Sequence, residues 1–166
     1  MRHIISLLVE NKPGVVSRVS GLFSGRGYSL ESITYGETMD PSLCRVTLTS
    51  TGDETAIEQI LKQLHRLIDT IKVQNLTDHK AITRELAIVK VRADKGYRAE
   101  IIKMAETYKA TVLDVSTDSF VMEITGSTRK IEDFIEVMSE YTILDIARSG
   151  LVALEKGSKT TKGKKS

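Results

Sequence analysis

Apolar and polar positions alternate along this chain with two periods, which predict strands and helices. In the first half, short apolar runs between turn residues predict four strands, and an i, i+3, i+4 spacing predicts two helices. The strands span residues 3–10, 28–35, 43–49 and 70–76. The helices begin near Val15 and Glu54, and the apolar stripe of the second is Ile57, Ile60, Leu61, Leu64 and Ile68. The predicted order is βαββαβ.

The second half repeats this order. Its predicted strands cover residues 85–91, 110–116, 119–124 and 142–147. Ile101, Ala105 and Tyr108 form one helical stripe. Ser127 is a typical N-cap for the other helix, whose stripe is Ile131, Phe134, Ile135 and Met138.

A local repeat links the two halves. Residues 45–61 and 119–135 both run from a strand through Thr-Gly to a polar cap and a helical stripe. The predicted fold class is therefore α+β, with two tandem ferredoxin-like domains. We assign residues 1–77 to the first domain, 78–83 to a linker, 84–154 to the second domain and 155–166 to a disordered basic tail. Because such domains are small and leave sheet edges open, we expect dimerisation, or packing of the two copies on each other, by sheet extension.

Composition and charge exclude several classes of function. The 166 residues have a net charge of +2, but residues 155–166 contribute five lysines and one glutamate, or +4, so the rest carries −2. A globally basic nucleic-acid-binding surface is therefore not expected. No apolar run has the roughly 18–20 residues that a membrane span requires, and we expect a cytoplasmic protein without membrane contact.

Catalytic and metal-binding patterns are not found in the sequence. Cys44 is the single cysteine and is expected to be a structural thiol, and His3, His65 and His79 lie in separate segments without metal-ligand spacing. Gly25-Arg26-Gly27 follows a predicted helix and is typical of a helix end rather than a dinucleotide fingerprint. We therefore expect no catalytic residue, no metal and no cofactor in this chain.

The segment at residues 11–16 is the best candidate for a binding site. It joins a strand to a helix through Asn11, Pro13 and Gly14, so the backbone can approach a ligand closely. The first amides of the helix favour an anion such as an α-carboxylate. By physics alone, an amino-acid site and an ordinary strand-to-helix turn both remain open.

Several motifs in order carry a family resemblance over about residues 2–156. HIISLLVENKPGVVSRVSGLFSGRGYSLESITYG resembles the ACT domain of the small, regulatory subunits of acetolactate synthase (acetohydroxyacid synthase). DPSLCRVTLTSTGDE, EQILKQLHRLIDTIKV, ITRELAIVKV and ILDIARSGLVAL are similar to later segments of the same family.

The resemblance implies a regulatory rather than a catalytic protein. In this family the large subunit carries thiamine diphosphate, FAD and magnesium, and condenses two pyruvates, or pyruvate and 2-oxobutyrate. The small subunit binds it, raises its activity and confers feedback inhibition by valine or a related branched-chain amino acid. In the ACT homodimer two sheets join edge to edge, with the effector at the interface.

The resemblance also implies which residues bind the effector. The loop of one chain supplies Asn11, Lys12, Pro13, Gly14, Val15 and Val16, and the second strand of the other supplies Ser29, Leu30 and Ile33. Where the family usually has Asn, this chain has Ser29, which is shorter and has one fewer donor. Effector identity and affinity are therefore left open.

Two further expectations concern the second domain and the alternatives. The segment Ala93-Asp94-Lys95-Gly96-Tyr97 lacks the Asn-x-x-Gly pattern, so the second domain is expected to serve dimerisation or contact with the large subunit. The tail at 155–166 could bind an acidic patch on that subunit or act only as a solubility feature. The alternative function is a free-standing ACT-domain amino-acid sensor that controls another enzyme or a transcription factor.

Overall fold

A computed structural model describes residues 1–24, 26, 28–77, 81–158 and 160 of the chain. The contacts between residues divide the chain into two units. One unit comprises Met1–Ile82 together with the segment that begins at Leu151, and the other comprises Thr83–Gly150.

The first unit has the predicted βαββαβ order. Its elements are β1 (Arg2–Glu10), α1 (Val15–Ser24), β2 (Ser29–Glu37), β3 (Leu43–Thr51), α2 (Glu54–Arg66) and β4 (Thr70–Asn75). The antiparallel sheet has the strand order β2-β3-β1-β4, so β2 and β4 form its edges. This order is that of a ferredoxin-like fold and confirms the predicted fold class.

Alternation along β1 and β3 builds the first core. Ile5, Leu7 and Val9 on β1 share one buried face with Val46 and Leu48 on β3, and the apolar stripes of both helices pack against it. Cys44 is fully buried in this core, as expected of a structural thiol. Asp53 caps α2 because its carboxylate accepts from the amide of Ala56 at 2.7 Å.

The second unit repeats the order. Its elements are β5 (Ala81–Arg92), α3 (Arg98–Tyr108), β6 (Thr111–Val115), β7 (Ser119–Gly126), α4 (Thr128–Ser139) and β8 (Ile143–Arg148). The strands lie in the order β6-β7-β5-β8. Ser127 caps α4 as predicted, since its Oγ accepts from the amide of Lys130 at 3.3 Å. The carboxylate of Glu85, which is buried, accepts hydrogen bonds from Nε of Arg148 at 2.6 Å and from its Nη2 at 3.0 Å.

A ninth strand was not predicted. It is β9 (Val152–Glu155), and it belongs to the first unit although it follows the second in sequence. Burial alternates along this segment. Leu151 and Ala153 are only 2% and 3% exposed, whereas Val152 and Leu154 are each more than half exposed. Thr34 of β2 donates its hydroxyl to the carbonyl of Leu151 at 3.0 Å. Residues 151–154, assigned above to the second domain, are thus grouped by their contacts with the first unit, while β9 itself pairs with β5.

Three boundaries differ from the sequence-based expectations. The helix α2 ends at Arg66 because Leu67 takes an extended backbone, so Ile68 is 90% exposed and the prediction that it belongs to the helical stripe is wrong. β5 begins at Ala81, inside the segment 78–83 assigned to a linker, whose residues 78–80 lie outside the described residues. Glu155, the first residue of the predicted tail, ends β9, and residues 159 and 161–166 lie outside the described part. The glycines of the predicted helix end, Gly25 and Gly27, also lie outside it.

Candidate functional site

The connection between β1 and α1 lies where two other turns of the first unit meet it. We call residues 11–14 the loop 11–14. The amide of Asn11 donates to the carbonyl of Ser42, in the turn before β3, at 2.8 Å. The amide of Glu10 donates to the carbonyl of Asp69, in the turn before β4, at 2.8 Å. The β2–β3 turn and the α2–β4 turn therefore hold the start of the loop on both sides.

Gly14 requires a conformation that other residues rarely adopt. Its φ is +83°, in the left-handed region, and its carbonyl accepts from the amide of Arg18 at 3.0 Å as α1 begins. A Cβ at this position would lie 2.9 Å from Nη1 of Arg18. Any residue with a Cβ is therefore disfavoured at position 14, both by the backbone conformation and by the Arg18 side chain that lies over it.

Arg18 joins the loop to the turn before β4. Its Nε and Nη2 each lie 2.7 Å from Oδ2 of Asp69, which is 5% exposed, and Nη2 also donates to the carbonyl of Pro13 at 3.4 Å. A basic residue near the start of a helix interacts unfavourably with the helix dipole, and the carboxylate of Asp69 offsets this. The side chain thus holds the middle of the loop while the Asp69 carbonyl holds its start.

The side chain of Asn11 is held by β2 and the following turn. Its Nδ2 donates to the carbonyl of Pro41 at 3.0 Å and to Oε1 of Glu37 at 3.4 Å. Its Oδ1 accepts from the hydroxyl of Tyr35 at 2.8 Å. Asn11 was predicted to bind the effector, but in this structure its side-chain donor and its acceptor are both used within the chain. The contact with Glu37 is the longest of the three and the easiest to exchange.

The charges around the loop affect two titratable groups. The Glu10 carboxylate hydrogen-bonds to the ammonium of Lys12 and raises the pKa of Lys12 above its ordinary value. A hydrogen bond to Cys44, loss of solvent and the nearby charge of Glu37 raise the pKa of Tyr35. The Tyr35 hydroxyl therefore stays protonated at neutral pH and can donate to Asn11.

Of the predicted strand residues, Ser29 and Leu30 lie at the other end of the sheet and Ile33 lies at the middle of β2. Ser29 pairs with Thr51, which pairs with Arg2 at the start of β1, while the loop leaves the end of β1. Eight steps along β2 separate Ser29 from Glu37, or roughly 25 Å at the rise of a strand. Leu30 and Ile33 are partly buried against the first core. One chain therefore does not bring Ser29, Leu30 and Ile33 to the loop.

The predicted loop residues divide by exposure. Asn11, Lys12, Pro13 and Gly14 are exposed, Val15 is buried in the first core, and Val16 is 36% exposed. Sequence reasoning missed Arg18, Tyr35, Glu37 and Asp69 as parts of the site. Arg18 could have been found from its position one turn into α1, where the helix dipole is unfavourable for a positive charge.

The corresponding connection of the second unit is built differently. Nη1 of Arg98 donates to the carbonyls of Ala93, Ser116 and Thr117 at 3.3, 2.9 and 3.1 Å, and its guanidinium lies 4.5 Å from the ring centre of Phe120. These contacts fill the turn with the chain's own side chain. Among the described residues, no group of three or more His, Cys, Asp and Glu has an arrangement for a metal ion. No helix among them is long and apolar enough to span a membrane.

Two family models match the chain. The model described as "AHAS small subunit-like ACT domain" matches residues 5–72, which include the loop 11–14 and β2. The model described as "Small subunit of acetolactate synthase" matches residues 84–157.

Relatives of known sequence or structure match over almost their full length. A probable acetolactate synthase small subunit of Archaeoglobus fulgidus is 45% identical over 159 residues, which cover 96% of this chain and 99% of the relative. The acetolactate synthase small subunit of Haemophilus influenzae is 43% identical over 160 residues, covering 96% and 98%. The crystal structure of the Thermotoga maritima small subunit has a TM-score of 0.86 at 37% identity, covering 96% of this chain and 99% of that one.

Proposed function

Because the chain belongs to the acetolactate synthase small-subunit family, we propose that it regulates the catalytic large subunit by binding a branched-chain amino acid between two copies of its first unit. In this proposal the chain binds the large subunit, raises its activity and transmits inhibition by valine or a related end product. It has no catalytic residues of its own. Family membership supports this function over that of a free-standing amino-acid sensor.

The observation that carries the proposal is the position of the loop 11–14 beside the end of an open edge strand. Within the described residues of the first unit, β2 pairs with β3 alone. The nine residues Ser29–Glu37 are centred on Ile33. If two copies of β2 pair antiparallel about Ile33, Ser29 of one chain lies opposite Glu37 of the other. The second chain would therefore bring its Ser29 to the loop of the first chain, whereas within one chain these two parts of the predicted site lie far apart.

Ligand binding at such an interface is coupled to the arrangement of the two chains. The effector contacts a loop on one chain and a strand on the other, so it favours the arrangement in which both parts are in reach. Inhibition follows if the large subunit is more active with the other arrangement. A typical coupling free energy of about 1–3 kcal/mol corresponds to a change of roughly 5- to 150-fold in affinity.

The chemistry in this proposal belongs to the large subunit. Thiamine diphosphate, FAD and magnesium are expected there, and the small subunit supplies only binding and regulation. The second unit of this chain, whose strand-to-helix turn is filled by Arg98, is proposed to contact the large subunit or a second copy of the chain.

Reconstitution tests the proposal. The full chain is mixed with a catalytic acetolactate synthase subunit in the presence of thiamine diphosphate, FAD and Mg²⁺, and acetolactate formation is followed across a valine titration. We expect no turnover by the chain alone, a rise in activity on mixing and a dose-dependent loss with valine. The large subunit alone, titrated with valine, is the control.

Different results contradict different parts of the proposal. If valine, leucine and isoleucine all leave the complex unaffected, the feedback role is wrong while activation can stand. If the chain neither co-purifies with a large subunit nor raises its activity, the regulatory role is wrong. Sedimentation of the chain with and without valine tests the homodimer separately.

A further inference from the structure

We propose that Glu37 binds the α-ammonium group of the effector and thereby restricts the site to amino acids. This inference rests on the proposed function, because it concerns the same site. It does not follow from the predicted ligand residues, which did not include Glu37.

The first observation is the position of Glu37. It is the last residue of β2 and pairs with Cys44, next to the end of β1 from which the loop 11–14 leaves. Its carboxylate contacts the Asn11 side chain, and its own side chain is exposed. It therefore lies at the border between the loop and the open edge, where the proposed interface forms.

The second observation is the charge balance at this end of the first unit. The cations in and beside the loop already have carboxylate partners, since Lys12 of the loop pairs with Glu10 and Arg18 of α1 pairs with Asp69. In the described part of the chain, no lysine, arginine or histidine pairs with Glu37. The carboxylate of Glu37 is thus left without a cation from the described residues at the position where the effector is proposed to bind.

The third observation is the remaining hydrogen-bonding capacity. An ionised carboxylate can accept about four hydrogen bonds, and for Glu37 the described chain supplies one, at 3.4 Å from Asn11. Asn11 itself is fixed by Tyr35 and Pro41 at 2.8 and 3.0 Å. Asn11 therefore acts as a positioning residue, and Glu37 has the free acceptors that an ammonium group, with its three donors, requires.

The proposed dimer gives Glu37 a neutral neighbour. With β2 strands paired antiparallel about Ile33, Glu37 faces Ser29 of the second chain, whose hydroxyl carries no charge that would compete with the ligand. Closing the interface also removes water from the carboxylate, which strengthens its interaction with a cation. An α-amino acid fits this site better than a carboxylic acid of the same shape.

The test compares valine with isovalerate, which has the same carbon skeleton and carboxylate but no ammonium group. Binding of each to the full chain is measured by titration calorimetry for the wild type, Glu37→Gln and the control Glu58→Gln, an exposed glutamate on α2. We expect Glu37→Gln to lose roughly 10- to 100-fold in valine affinity, the value of a hydrogen bond to a charged group. Isovalerate affinity should be unchanged or higher, and Glu58→Gln should behave like the wild type.

Glu37→Gln keeps the size of the side chain and can still accept a hydrogen bond from Asn11. If Glu37 had only a structural role, the substitution would change the affinities for valine and isovalerate by the same factor. The proposal is overturned if the ratio of valine to isovalerate affinity in Glu37→Gln equals that of the wild type. If the wild type binds valine and the ratio does not change, Glu37 is not the ammonium site and the regulatory function stands. If the wild type binds none of the branched-chain amino acids, both proposals fail together.

Discussion

Arg18 and Asp69 form an ion pair in which Nε and Nη2 of the arginine both lie 2.7 Å from one carboxylate oxygen. The pair joins the first turn of α1 to the turn before β4, and the backbone carbonyl of the same aspartate receives the amide of Glu10. The loop 11–14 is therefore fixed at its start and its middle by one buried residue from a distant part of the chain. This relationship gives the loop a defined shape before any ligand binds.

Asp69→Asn should lower the free energy of unfolding by about 1–3 kcal/mol, because Arg18 would lose its charged partner while remaining partly exposed to water. Urea unfolding followed by circular dichroism measures this change. Asp133→Asn is the matched control, since Asp133 and Arg129 form an exposed pair at 3.9 Å and should contribute less than about 0.5 kcal/mol. Equal losses of unfolding free energy in the two variants would show that the Arg18–Asp69 pair contributes no more stability than an exposed ion pair.

Gly14→Ala should destabilise the first unit by about 1–2 kcal/mol and abolish valine inhibition, because its φ of +83° is strained for any residue with a Cβ. Gly14→Asp should have the same effect, because the backbone strain comes from the Cβ and does not require the negative charge of the aspartate. Gly21→Ala is the control of opposite sign. Gly21 lies within α1 with nothing within 4 Å of an added Cβ, and the change should stabilise by about 0.5–1 kcal/mol. Normal inhibition in Gly14→Ala would place the effector elsewhere.

Ser29→Asn should increase valine affinity by about 2- to 10-fold, because the longer side chain adds a donor that can reach the effector across the interface. Ser29 is exposed on β2 and its carbonyl accepts from the hydroxyl of Ser50 at 2.6 Å, so the backbone is held in place. Titration of the full chain with valine measures the change. Ser17→Asn, at an exposed position on α1, is the control. An unchanged affinity in Ser29→Asn would remove position 29 from the site.

Ala153→Glu should destabilise the first unit by about 3 kcal/mol or more, because it places a charge where the segment after Leu151 is buried. Val152→Glu is the matched control on the opposite face of the same strand, where the side chain is 53% exposed. It should change stability by less than about 1 kcal/mol. Hydrogen exchange locates the effect: amides of β1 and β3 should lose protection in Ala153→Glu. Because β9 pairs with β5, loss of protection in β5 is expected in either case, whereas loss confined to β7 and β8 would assign the segment to the second unit.

Some of these features were predictable and others were not, and the difference is physical. The hydrophobic stripe of α2 was read correctly through Leu64 because it repeats every three or four residues, but Ile68 continues that spacing after the helix has ended. The loop 11–14 was found because Pro13 and Gly14 mark a turn in any context. Tyr35, Glu37 and Asp69 were missed because nothing in their local sequence indicates that they meet Asn11 and Arg18.

The sequence by itself determined the two βαββαβ units, the family and the glycine of the loop. The units and the glycine depend on short-range periodicity, capping and turn conformation, which neighbouring residues decide, whereas the family follows from the resemblance of several motifs in order. Only the tertiary structure decided that Asp69 fixes the loop, that the segment from Leu151 contacts the first unit and that Glu37, at the end of β2, lies beside the loop. Contacts between residues far apart in sequence depend on strand order and register, and the pairing of β2 with β3 and of β1 with β4 sets both.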